Sequence, residues 1–360
     1  MTRYPPLKYL LSSVSLSLLV SACSLPPPES GVLPADIIDL SYWKITLPME
    51  GNSGKVREVS VNDIKAFYNA DFFHANTEGE VIFAAPNRAA TTTGSTNTRS
   101  ELRQMMNGAS GGSPKDEMNN FALASNHDSK DFADIGGQLK ATLKVDAVSV
   151  HAGYPNKPPA YSMVVGQIHA GKDEYLLYDT DDQFGWGNEP IKIYYKKWPN
   201  HATGSVFWTY EKNLPRKDPN RSDVAYPVWG NTWENPVDPA AKGIALGEVF
   251  SYVINVHNNI MHLTFTTNNQ AEVNYQIDLS NNIDAYGKVD ALDNPDGYQQ
   301  DWFYFKAGAY NQCSTKDAPG IWYTNCPGTG DWLIDKANGD YAQATFYNIE
   351  LSPSEAPSKQ

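Results

Sequence analysis

Three short segments of this 360-residue chain group side chains suited to gripping carboxylates and moving protons. The first is TRSELRQM, residues 98–105. On a strand, Arg99, Glu101 and Arg103 share one face. A guanidinium is a planar fork that holds a carboxylate at two points. Alone, the segment is equally an Arg–Glu ladder on a sheet surface. The second is GQIHA, residues 166–170. Gln167 and His169 share a face and Ile168 points to the core. A neutral imidazole takes up a proton near physiological pH, and a Gln amide donates to an oxyanion. Alone, this is also a satisfied polar pair at a strand end. The third is YFKAGAYNQ, residues 304–312. Tyr304, Lys306, Gly308, Tyr310 and Gln312 fall on one face; Phe305, Ala307, Ala309 and Asn311 fall on the other. An outer sheet face accounts for Lys306, but not for two phenols around a Gly that leaves room for a ligand.

Placed on one sheet, these residues suit a polymer of uronic acids. Sugar rings stack on Tyr, and carboxylates meet Arg and Lys. In a 4-linked uronate the C5 proton lies beside the C6 carboxylate, so neutralising that carboxylate is the first requirement for removing it. A base then takes the C5 proton and an acid protonates the departing O4. This β-elimination consumes no water and calls for no metal or cofactor. A glycoside hydrolase would instead need two carboxylates across a cleft, and Glu101 is the one acid in the three segments. A non-catalytic carbohydrate-binding surface lipoprotein would use the tyrosines and cations without needing His169 and Tyr310 together.

The elements that must position these groups read as strands. The chain has 21 Tyr, nine Trp, 26 Gly and 24 Pro, a balance that favours all-β over helical architecture. In residues 137–145, Leu139, Ala141, Leu143 and Val145 alternate with polar neighbours, as in a strand with one core face. IKIYYKKW (191–198) and YAQATFYNIEL (341–351) are further strands, and SYVINV-HNN-IMHLTF (251–265) is a hairpin around an Asn-containing turn. Ser60 caps a short helix over 60–68. Segments 211–247 and 281–300, rich in Pro, Asp and Asn, read as long loops. The expected fold is a β-sandwich or jelly roll.

With those three segments in that order, the sequence resembles the alginate lyases of polysaccharide lyase family seven. DLSYWKITLP (39–48) resembles that family's opening strand and ATFYNIEL its last. The resemblance implies a jelly roll of two antiparallel sheets over 39–352, with a substrate groove on the concave sheet and a tail at 353–360. It implies that Arg103, Gln167 and His169 neutralise the substrate carboxylate and that His169 and Tyr310 are the acid–base pair. It places Lys306, Tyr304, Glu101 and Gln312 along the groove, with Arg99 supporting or binding. Ile168 is associated in the family with guluronate-containing blocks. The partner implied is alginate, or its oligosaccharides, bound by a monomer.

The N-terminus carries Arg3 and Lys8, then an apolar run ending in Val20-Ser21-Ala22-Cys23. This is the pattern of a lipoprotein signal over 1–22, with Cys23 acylated and a Pro/Ser-rich tether over 23–38. Ser24 after the Cys points to the outer membrane. Two cysteines remain, Cys313 and Cys326, and an oxidising compartment favours their pairing. The net charge of −13 argues against a nucleic-acid partner. It also requires any polyanion site to be a local basic patch.

Overall fold

A computed structural model describes residues 31–52, 54–178, 183–318 and 320–357. The expected signal segment, Cys23 and the first part of the tether lie outside the described residues. Two sheets form the fold. The larger is the site sheet, with order β12-β11-β10-β9-β16-β5-β1-β2. Its strands are β1 (Trp43–Glu50), β2 (Val56–Val59), β5 (Asn97–Gln104), β9 (Ser162–Ala170), β10 (Ile191–Lys196), β11 (Ser205–Glu211), β12 (Asp223–Trp229) and β16 (Trp302–Ser314). Three two-residue strands, β6 (Phe121–Ala122), β7 (Asp134–Ile135) and β17 (Thr324–Asn325), attach to its rim. The second sheet runs β15-β14-β13-β8-β18-β4-β3. It comprises β3 (Phe73–Ala75), β4 (Val81–Pro86), β8 (Gly137–Ala147), β13 (Val249–His257), β14 (Ile260–Thr267), β15 (Val273–Asp278) and β18 (Tyr341–Ser352).

Alternation decides which face of each strand is inside. Leu139, Ala141, Leu143 and Val145 of β8 are all buried, as their spacing predicts, and pack with Phe83 and Phe346. From the site sheet come Leu102, Ile168, Trp208, Phe303, Phe305, Ala307 and Ala309. Full burial of each large apolar side chain contributes roughly 1.5–3 kcal/mol. The polar residues on the other face of β5, β9 and β16 are thereby turned outward. The β13–β14 hairpin closes between His257 and Ile260, with Asn258 at φ 57°. That left-handed conformation suits Asn.

Two expectations need correction. Segment 211–247 is not all loop, because β12 lies within it as the outermost strand of the site sheet, with Pro227 opposite Phe207. Proline cannot donate to a ladder and so is tolerated on an edge strand, where it made the segment read as irregular. The helix expected over 60–68 reduces to Val61–Ile64; Ser60 does cap it, accepting from the Asp63 backbone N–H. Segment 281–300 has no strand beyond an isolated Ile283–Val289 bridge. A seven-residue helix, Trp332–Asn338, starts at Asp331, whose side chain accepts from the N–H groups of Leu333 and Ile334. The Cys313–Cys326 disulfide is formed, and β17 pairs in parallel with Cys313 and Ser314 beside it.

Candidate active site

Strand register assembles the site. Arg103 on β5 lies opposite Lys306 on β16, which lies opposite Gln167 on β9, which lies opposite Lys192 on β10. Tyr304 lies opposite His169, and Arg99 opposite Tyr310. The three segments therefore meet on three adjacent strands of one sheet.

Glu101 is the hub of this surface. Its carboxylate receives Arg99 Nη1 at 3.0 Å, the Lys306 ammonium, and an N–H from the Gln167 amide. It is 2% exposed. Burial works against its charge, but Lys306 and Arg99 outweigh that and hold the carboxyl below its ordinary range. Burial conversely brings Lys306 down to about 8, against the pull of Glu101. The partners of Glu101 thus differ from the pair of arginines expected: Lys306 and Gln167 stand where Arg103 was to be.

Arg103 is turned away from the hub. Its guanidinium donates to the carbonyls of Gln104, Pro114 and Asn119, to Asn120 Oδ1 at 2.7 Å, and to the Met105 sulfur. It also lies 3.9 Å from the Tyr304 ring centroid. These partners tie the 105–120 excursion to β5 and occupy both terminal nitrogens of the guanidinium. Arg99 has the better geometry for meeting a substrate carboxylate. Its Cζ stands 3.9 Å from the centroid of the Tyr310 ring, and its buried Nε has no protein partner. The Tyr310 hydroxyl lies 3.3 Å from Ser95 Oγ, and Lys306 Nζ lies 5.7 Å from the Tyr310 ring centroid.

Gln312 is buried, its Nε2 donates to the Tyr310 carbonyl, and its Oε1 has no protein partner. One further expectation changes. Gly308 does not leave space for a ligand. Its φ is +140°, and a Cβ there would sit 2.5 Å from the Ser100 carbonyl oxygen. The glycine serves the close approach of β5 and β16. Next to it the ladder slips, with Ala307 to Tyr310 on β16 spanning only Gly166 to Val164 on β9.

His169 is held on three sides. Its Nδ1 is 2.6 Å from the Ala170 carbonyl oxygen, its ring stacks on Tyr304 at 5.3 Å and 9°, and its Nε2 is 3.3 Å from Glu189 Oε1. Burial lowers its pKa, and the Glu189 carboxylate opposes that shift. Burial likewise pushes Tyr304 up to about 12. Gln167 is 1% exposed, and its Oε1 has no protein partner.

Sequence reasoning missed the neighbouring charged network on β10 to β12. Lys192 pairs with Glu189 at 3.3 Å and Asp223 at 3.2 Å, and Arg221 pairs with Glu211. The signal was present in IKIYYK, where Lys192, Tyr194 and Lys196 alternate with Ile191, Ile193 and Tyr195. That is the same polar-face pattern as on β16.

Comparison with known proteins bears on the family and the fold. A family profile described as alginate lyase matches residues 38–353. An alginate lyase of Klebsiella pneumoniae is 31% identical over 349 residues, which are 93% of this chain and 96% of that one. The crystal structure of the exolytic PL7 alginate lyase AlyA5 from Zobellia galactanivorans superposes with a TM-score of 0.70. It is 32% identical, with 91% of this chain and 99% of that one covered. The crystal structure of the alginate lyase from Klebsiella pneumoniae gives a TM-score of 0.68 at 29% identity, covering 90% and 99%.

Proposed function

The chain belongs to the alginate lyase family, and from that premise we propose how its own residues divide the work of cleaving alginate. The protein is a polysaccharide lyase that breaks 4-linked uronate chains by β-elimination. Arg99 and Gln167, with His169 beside them, bind the C6 carboxylate of the sugar to be opened. The Arg99 guanidinium, bonded to Glu101 through Nη1 alone and stacked on the Tyr310 ring, is the observation that carries this assignment. Charge grows on the carboxylate as the C5 proton leaves, and fixed donors stabilise charge best where it develops.

His169 takes the C5 proton. With Nδ1 directed at the Ala170 carbonyl, Nδ1 carries the ring proton and Nε2 is the basic nitrogen. The C5–H electrons form the C4=C5 double bond, the C4–O4 bond breaks, and the Tyr310 hydroxyl supplies a proton to O4. Glu101 contributes indirectly. It holds Arg99, Lys306 and Gln167 in one plane of contact, and it keeps two neighbouring cations from repelling each other.

The test is incubation with alginate while ultraviolet absorbance of the unsaturated uronate is followed. Wild type produces the signal. Tyr310→Phe loses roughly 10²–10⁴ in rate while its melting curve stays in place, since the lost hydroxyl touches only Ser95 at 3.3 Å among the hydrogen bonds described. A fully active Tyr310→Phe protein would remove this residue from the reaction.

We also infer that the protein works as a monomer anchored to the outer membrane through lipid on Cys23. The support is sequence alone: Val20-Ser21-Ala22-Cys23, Ser24 after it, and the Pro-rich stretch that follows. A tethered lyase would act on polymer reaching the cell rather than on polymer at a distance.

A further inference from the structure

We infer that Glu189 is a positioning residue that acts through His169, supporting the positive charge the ring gains when Nε2 takes a proton. This rests on the reading of His169 as the base. Nδ1 is committed to the Ala170 carbonyl, so a proton from substrate arrives at Nε2, the nitrogen 3.3 Å from Glu189 Oε1. The other charged groups near the ring, Lys306 on β16 and Arg99 on β5, both oppose its protonation, as does burial. Tyr304 stacks on the ring without carrying charge at neutral pH, because burial pushes its pKa up to about 12. Glu189, more than the Ala170 carbonyl, favours the imidazolium against two cations and a poorly solvated site.

Glu189 is itself held by a structure larger than one contact. Its Oε2 meets Lys192 Nζ at 3.3 Å, and its backbone N–H donates to Glu211 Oε2 at 2.9 Å. Glu211 pairs with Arg221, and Lys192 reaches Asp223 at 3.2 Å. Two cations thus face three carboxylates. Burial and the adjacent Glu189 push Glu211 up, whereas Lys192 overcomes burial and holds Glu189 well down. Lys192 thereby favours a charged carboxylate at Glu189, beside His169. Arg221 and Asp223 come from the segment around β12, so this edge of the sheet has a task beyond closing the fold.

The test compares wild type, Glu189→Gln, Glu189→Asp and His169→Ala. In Glu189→Gln the acid limb of kcat/KM moves to lower pH, because an imidazole without its carboxylate loses its proton at lower pH. Its plateau kcat falls about ten-fold, as for a weaker base. The His169 ring resonance, followed by NMR titration, shifts its midpoint in the same direction. Glu189→Asp keeps the charge at a longer distance and falls between, and it serves as the readout if Glu189→Gln does not fold. An acid limb and a His169 midpoint that stay at their wild-type positions in both variants overturn the inference. A His169→Ala protein with full activity would instead overturn the reading of His169 as the base.

Discussion

The guanidinium carbon of Arg99 stands 3.9 Å from the centre of the Tyr310 ring. A cation over a phenol ring is attracted by the ring's electron-rich face, and here the stack also fixes the two groups relative to each other. The residue proposed to grip the substrate carboxylate and the residue proposed to protonate the leaving oxygen are thus stacked on each other, from directly opposed positions on β5 and β16.

The two arginines of β5 should therefore separate cleanly. Arg99→Lys keeps a charge but loses the planar fork and the ring stack. Its kcat should fall at least ten-fold with KM changed little, since the lost contact strengthens as charge develops. Arg103→Ala should instead lower stability, by about 2–3 kcal/mol, by leaving buried carbonyls of the 105–120 excursion unpaired. Melting curves and alginate kinetics on both variants check this; equal kinetic defects with unchanged melting would refute the division.

Glu101 should give the fold an acid-sensitive element. Its folded pKa lies below the ordinary 4.5, so the stability it contributes is complete above that value and is lost as pH falls through the folded pKa. Urea unfolding followed from pH 6 to pH 3 should show wild type losing stability below about 4.5. Glu101→Gln should be less stable at pH 6, by about 3–5 kcal/mol, because Lys306 and Arg99 are left buried without a counter-charge. Its loss between pH 5 and 3 should be smaller. Parallel curves for the two proteins would show that Glu101 does not titrate with folding.

How much of this was legible from sequence depends on what kind of fact is asked for. Strict alternation in β16 told which residues face outward, and Tyr304, Lys306 and Tyr310 do so. Alternation cannot tell where a long side chain goes after it leaves the strand. Arg99 and Arg103 share a face and a chemistry, yet one meets Glu101 and the other binds carbonyls from a segment up to 17 residues away. Gly308 shows the same limit. Its spacing was visible, but the neighbour that excludes a Cβ belongs to another strand. β12 went unread because Pro227 and its polar flanks carry the composition of a loop, while edge position is a property of the assembled sheet.

Reduction of the Cys313–Cys326 bond should loosen the region that follows Tyr310. The bridge closes a 13-residue separation, for which the chain-entropy model gives about 3 kcal/mol. Non-reduced peptide mapping should find the two cysteines linked, and reductant should lower the melting temperature of wild type. No shift on verified reduction would show that Arg88, which donates to the Thr315 and Cys326 carbonyls, already fixes this loop.

A lipid on Cys23 should be visible as a mass increment on the mature N-terminus, with the protein in the outer-membrane fraction. Cys23→Ala should be soluble or remain unprocessed. Wild type recovered as soluble protein with an unmodified N-terminus would refute the anchor.

The slip in the ladder around Gly308, between Ala307 and Tyr310 on the β9 side, puts a bend in the surface that carries Lys306 and Tyr310. A bulge bends its strand and sharpens the twist, so side chains on either side of it tilt toward a common point. A polymer laid across such a bend would meet these side chains at one sugar. The position of the cut along the chain would then be set by where the backbone bends, and moving the glycine by one residue would displace the whole reaction centre even if every charged group were kept.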